Sequence, residues 1–241
     1  MKEAHISIDD CILNFKMMTE EKDNIDSIFD IPFFQDLRNF HETYHVKFTL
    51  YCWEHKSGYN FSRVTDAFQM EFAKNSSWLK VGFHGSAKFD YLKDENGGRT
   101  VEEFKDAYLN FKQNAIRCFT EESLARCLRL HRYIGCREEV EFLKKEGVNE
   151  LLTAHDQRIS YDLSEAENET VLLGDSQCFR GIKYSHSDIC MDMFEDEREF
   201  QKIIKNNRIT LFAHEKVFCS QKTKWQKLFE LLLAEGYSYI N

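Results

Sequence analysis

The feature that most constrains this chain is an alternation of short apolar runs with longer amphipathic ones. Runs of strand length fall at residues 4–8, 46–53, 79–83, 124–130, 150–154 and 208–213. Between them, apolar residues recur at steps of three and four, the spacing that gathers them on one face of a helix. Phe33, Leu37, Phe40 and Tyr44 make one such stripe, and Val101, Phe104, Tyr108, Phe111, Ala115 and Cys118 another. The second stripe opens with Thr100-x-x-Glu103, a capping box that satisfies two backbone donors left over at a helix start. Gly147 and Gly236 stand where two further helices should close, one over 138–146 and one carrying Trp225, Leu228, Phe229 and Leu232. Strands separated by helices pair in parallel, because each crossover returns the chain to the same edge of a sheet. Six or seven such units in 241 residues predict an α/β chain closed into a β/α barrel, with an open doubly wound sheet as the alternative. The first strand-to-helix turn has no Gly-rich phosphate loop, which weakens a dinucleotide-binding version of that sheet.

Pro32 is the only proline and no composition break marks a boundary, so residues 1–241 read as one domain. Hydrophobic residues make up 42% and charged ones 30%, enough for a sizeable core, and 21 Phe with 10 Tyr make that core aromatic. A net charge of −9 argues against sequence-independent nucleic-acid binding, which needs a basic face to release counterions. No segment approaches the length of a membrane span, and MKEAHISIDD contains no apolar run of signal-peptide length. The eight cysteines are scattered without a CxxC pair, a poor zinc-finger or disulfide pattern. The expectation is a cytoplasmic protein without nucleic-acid or membrane partners.

In a parallel barrel, reactive groups collect at the carboxyl ends of the strands. The apolar runs are followed by Asp9 and Asp10, by His84, by His131, Arg132 and Tyr133, by His155 and Asp156, and by His214 and Glu215. After Trp53 come Glu54 and His55. A single histidine at a strand end is usually structural, and an Asp pair often fills a turn. Several ionisable strand ends converging on one face carry a different meaning. Imidazole, carboxylate and guanidinium together are the materials for a metal-bound water, a general base and a general acid.

The order of these residues resembles the polysaccharide deacetylase (NodB-like) superfamily of deformed β/α barrels. Ser7-Ile8-Asp9-Asp10 is similar to that family's first motif, Thr-Phe-Asp-Asp, which implies Asp9 as catalytic base and Asp10 as metal ligand. His84 in GFHGSAKFD matches the first histidine of the second motif, also a ligand. Arg129-Leu-His-Arg-Tyr133 loosely resembles the third motif, Arg-x-Pro-Tyr, and makes Arg129 a catalytic candidate. Leu211-Phe-Ala-His214 matches the last motif, Leu-x-x-His, whose histidine is the general acid. The resemblance spans nearly the whole chain in the family's order. It departs from the family at Lys88, where a second ligand histidine is expected, since an ammonium has no lone pair to give a metal. His131 is the preferred substitute ligand, with Asp90 as the alternative. The resemblance implies a metal-dependent hydrolase of C–N bonds acting on an N-acetylated amino sugar or related carbohydrate. A divalent ion is implied as cofactor, zinc by default.

The competing reading is a deacetylase-like barrel that binds a carbohydrate or a partner without hydrolysis, with Lys88 supplying charge in place of an ion. Four other features receive quieter readings. SHSDIC, residues 185–190, could hold a metal on one strand face but reads as a surface loop. DMFEDERE, residues 192–199, reads as a solvated helix start. Asp156 either pairs locally or orients Arg129 or Arg132. GYSYIN, residues 236–241, either supplies a seventh barrel strand or leaves it missing.

Overall fold

Each of the six apolar runs contributes a strand to the computed structural model, which describes residues 2–87, 98–174, 176–194, 200 and 203–241. Lys88 and Asp90 lie outside the described residues. In chain order the strands are β1 (Lys2–Cys11), β2 (Phe48–Trp53), β3 (His55–Lys56), β4 (Tyr59–Asn60), β5 (Leu79–Gly85), β6 (Cys127–Leu128), β7 (Glu150–Leu152), β8 (Ser176–Phe179), β9 (Ile182–Ser185), β10 (Ile189–Cys190), β11 (Arg208–His214) and β12 (Tyr237–Ile240). Strands β10, β11, β1, β2 and β5 lie side by side in that order, all parallel. A second sheet, β6-β7-β9-β8, is parallel except for the final hairpin. One parallel bridge, Val81 to Leu124, joins β5 to the segment entering β6. The chain then crosses from β9 back to β10 through residues 186–188 without a ladder. The expected barrel is therefore present but deformed, with a thin seam at one side and a break at the other.

Two predicted details change. The run at 124–130 is a strand only at Cys127–Leu128, and the staves beyond β7 come from the short β9 and β10. GYSYIN does form a strand, but it is not a further stave. β12 pairs with Lys2–His5 of β1, whereas β2 pairs with β1 from Ile6 onward. Since β11 occupies the other edge of β1, β12 and β2 share one edge end to end.

Alternation along the strands separates a polar interior from an apolar exterior. His5, Ser7 and Asp9 face inward, toward Tyr51 and Arg129, while Ala4, Ile6 and Ile8 are wholly buried on the other face. Arg129 spans the barrel where backbone pairing is missing. Its guanidinium donates to Ser7 Oγ at 2.6 Å, Asp9 Oδ1 at 3.0 Å and Ser187 Oγ at 3.1 Å. The outer shell is the aromatic core that composition predicts. Phe15 packs against Phe34, Phe61, Phe72 and Phe119 with ring centroids 5.2–6.2 Å apart. The helix Val101–Phe119 begins with the expected capping box, Thr100 Oγ1 accepting from Glu103 N and Glu103 accepting from Thr100 N. No helix among the described residues is long and apolar enough to cross a membrane.

Candidate metal centre and active site

Two adjacent carboxylates on a regular strand would point to opposite faces. Here the β1–β2 ladder shifts register between Ile8 and Cys11, and Asp10 adopts φ +65°, a left-handed conformation that Asp tolerates better than most residues. The bulge swings Asp10 out of alternation. Asp9 stays on Arg129 inside the barrel, and Asp10 turns toward β5.

There it meets His84 and His131. His84 Nε2 lies 3.5 Å from Asp10 Oδ1, His131 Nδ1 lies 3.9 Å from the same oxygen, and the two ring nitrogens are 3.3 Å apart. These are the separations that a shared ion imposes, since tetrahedral donors at zinc-type bond lengths stand roughly 3.3 Å from one another. His84 Nδ1 contacts the carbonyl of Arg129 at 2.7 Å. A carbonyl only accepts, so Nδ1 donates to it, and Nε2 is the ring nitrogen turned toward Asp10 and His131. By donor type and spacing, Asp10, His84 and His131 fit a divalent ion, and three protein donors leave coordination positions open.

Asp10 also has ordinary partners. Trp53 Nε1 donates to Oδ1 and Lys56 Nζ to Oδ2, each at 2.8 Å. Burial works to raise the Asp10 pKa, but the hydrogen bonds and charges of His84 and Lys56 prevail and hold it well below the usual carboxylate range. Lys56 sits on the β3–β4 hairpin. Glu54, just before it, does not join the site; its buried carboxylate accepts from Asn60, Ser86 and Asn110.

Across the β1–β11 ladder, Asp9 is the register partner of His214. Both line a cavity of about 360 Å³ together with His84, Arg129, His131 and Asp192. His214 Nδ1 donates to Asp192 Oδ2 at 2.6 Å, and Asp192 Oδ1 accepts from the His214 backbone N–H. The Asp192 hydrogen bond, supported by Cys190 and by the charge of Asp9, raises the His214 pKa to about 10. In metal-free protein the imidazole should therefore titrate near pH 10 by NMR, and Asp192→Asn should bring it down toward 6.5. A folded pKa above the unfolded one stabilises fully below about pH 6.5 and loses that contribution as pH rises through about 10. An Asp192→Asn protein with an unmoved titration would show that the pairing does not set the shift.

The structure brings Asp9, Asp10, His84, Arg129, His131 and His214 to one end of the barrel. It keeps the local-pair reading of Asp156 and corrects two others. Asp156 pairs with Arg158 on the exposed side, because Arg129 is already held by Asp9 and the two serines. SHSDIC is not a surface loop: Ser187, Ile189 and Cys190 are buried, and the last two form β10 beside β11. Asp192 is the partner of His214 and not a solvated residue, and residues 195–199 of DMFEDERE lie outside the described residues. His155 stands at the cavity, its Nδ1 3.5 Å from the Tyr133 hydroxyl. Asp192, Cys190, Lys56 and the Trp53 indole are the site neighbours that sequence reasoning missed. Treating Ile189–Cys190 as one more strand would have found Asp192 by the strand-end rule.

No family model matches the chain, and no curated protein matches it by sequence. Solved structures do match. A CE4 esterase from Streptococcus mutans aligns over 99% of this chain and 84% of its own, with TM-score 0.53 and 10% identity. A family 4 acetyl xylan esterase from Clostridium thermocellum, solved in complex with a cobalt ion, aligns over 99% and 87%, also with TM-score 0.53 and 10% identity. A 4-alpha-glucanotransferase from Thermococcus litoralis covers all of this chain but only 37% of its own, with TM-score 0.52 and 12% identity. With that likeness over almost its whole length, the chain has the deformed β/α-barrel fold of the CE4 esterases.

Proposed function

We propose that residues 1–241 form one catalytic unit, a metal-dependent hydrolase that removes the acetyl group from an N-acetylated amino sugar. The observation that carries this reading is the convergence of Asp10, His84 and His131 at 3.3–3.9 Å beside two paired groups suited to proton transfer. Asp10, His84 and His131 would hold a divalent ion, zinc by donor type, which when bound polarises an acetyl carbonyl and acidifies water. Asp9, oriented by Arg129, takes the proton of the attacking water. Arg129 is a positioning residue here, since its guanidinium is spent on Ser7, Asp9 and Ser187. His214, with Nδ1 fixed on Asp192, gives a ring proton to the departing nitrogen. An amide nitrogen must be protonated before the C–N bond breaks, and an imidazolium that keeps its proton through neutral pH is suited to that step. The carbohydrate class of substrate is supported by the names of the structural neighbours, an acetyl xylan esterase among them.

One observation favours a second reading, a barrel that binds a carbohydrate without hydrolysing it. Lys56 Nζ already places a cation 2.8 Å from Asp10, and it could stand in for an ion's charge without activating water. The two readings part on metal content, measured by plasma mass spectrometry on untagged protein and on Asp10→Ala and His84→Ala, with acetate release from N-acetylated amino-sugar oligomers followed in parallel. The hydrolase reading expects near-stoichiometric metal that is lost in both variants together with acetate release. Protein that stays metal-free and inactive after dialysis against zinc would leave the binding barrel as the correct description.

A further inference from the structure

The same cavity carries a second group of convergent donors, of which the proposed chemistry uses His214 and its partner Asp192 for proton transfer and leaves Cys190 without a role. Cys190 Sγ, an Asp192 carboxylate oxygen and a His214 ring nitrogen all lie within 4.8 Å of one another, and all three residues line the cavity wall. They come from different strands than Asp10, His84 and His131, and they include a sulfur donor that the first set lacks. We propose that Cys190, Asp192 and His214 form a second site, for a thiophilic divalent ion of the zinc type.

Thiol, imidazole and carboxylate side by side also suggest a nucleophilic relay, and the geometry separates the two. A relay puts the carboxylate on one ring nitrogen and the thiol on the other. That arrangement would hold sulfur and oxygen about 8 Å apart at ordinary hydrogen-bond lengths. Here they lie within 4.8 Å, so both approach the same edge of the imidazole and converge as ligands do. The backbone fixes this convergence. Cys190 is in register with Phe212, Met191 N donates to Phe212 O at 2.7 Å, and Asp192 Oδ1 accepts from His214 N at 3.2 Å. Lys224 Nζ caps the Met191 carbonyl at 2.8 Å.

A sulfur, a nitrogen and a carboxylate oxygen make a borderline-soft set that selects zinc, cobalt or cadmium over magnesium and calcium. Binding releases the thiol proton and the Nδ1 proton that His214 shares with Asp192, and the ion takes the place of the latter. The site itself stands independently of the function proposed above. Its consequence rests on that function: an ion here would tie up His214 as a ligand and withdraw the general acid, so excess zinc would inhibit.

Cobalt titration of the metal-free protein tests the site directly, because only a thiolate ligand gives a sulfur-to-cobalt charge-transfer band in the near ultraviolet. Two equivalents are expected to bind, one of them with that band. Cys190→Ser should abolish the band and one equivalent. His214→Ala, at a half-exposed position whose loss opens no core cavity, should abolish the same signals. Asp10→Ala should remove the other equivalent and leave the band intact. A single equivalent without a thiolate band, or a band that survives Cys190→Ser, would overturn the second site. A band that persists while no Asp10-dependent equivalent exists would support the second site and refute the hydrolase reading instead.

Discussion

Replacing Arg129 by alanine is expected to lower the free energy of unfolding by about 3–5 kcal/mol, the range found when one partner of a buried ion pair is removed. Arg129 is 1% exposed and Asp9 2%, and Arg129 also donates to Ser7 and Ser187 at the break in the barrel. The Phe212 ring covers the guanidinium at 4.1 Å, so solvent cannot readily replace what is lost. Alanine would leave the Asp9 carboxylate buried without its partner and two hydroxyls without their donor. Urea denaturation measures the effect. A double replacement, Asp9→Leu with Arg129→Met, should recover most of the loss, because two apolar groups of similar volume need no pairing. If the double variant is as unstable as Arg129→Ala, the cost lies in packing and not in an unpaired charge.

The second large effect concerns His214. If it is the general acid, His214→Gln should lower acetate release by about 10²–10⁴-fold, the usual contribution of a positioned proton donor. Unfolding free energy at neutral pH should fall as well, because the stabilisation that comes with the raised His214 pKa goes with the imidazole. Metal bound through Asp10, His84 and His131 should be unaffected. Unchanged acetate release by His214→Gln would remove it from the chemistry, whatever its pKa.

Much of this site could be read from the chain because strand ends in a parallel barrel are legible. Asp9, Asp10, His84, His131 and His214 each follow an apolar run long enough to show its period. The gap at Lys88 pointed to His131, which the fold brings within 3.3 Å of His84. What could not be read is what depends on very short elements or on polar atoms in apolar residues. β10 is two residues long, too short for any periodicity, so Cys190 passed as loop and Asp192 as helix start. Lys56 lies on a two-residue hairpin strand, and the Trp53 indole N–H is invisible to hydropathy. The break between β9 and β10 was illegible for a further reason. Side chains, Arg129 above all, hold the barrel together there, and their partners are distant in sequence.

The bulge at Asp10 sets how narrowly this position can vary. At φ +65° a side chain branched at Cβ would be strained, and only Gly, Asn and Asp adopt such a backbone readily. Asn and Gly keep the turn but surrender the charge; glutamate keeps the charge but reaches one methylene too far and fits the turn less well. In a saturation library, residue 10 would thus show a single permitted amino acid for metal retention and a small permitted set for folding. The two lists would differ most sharply at asparagine, a replacement that leaves the barrel intact and weakens its hold on a cation.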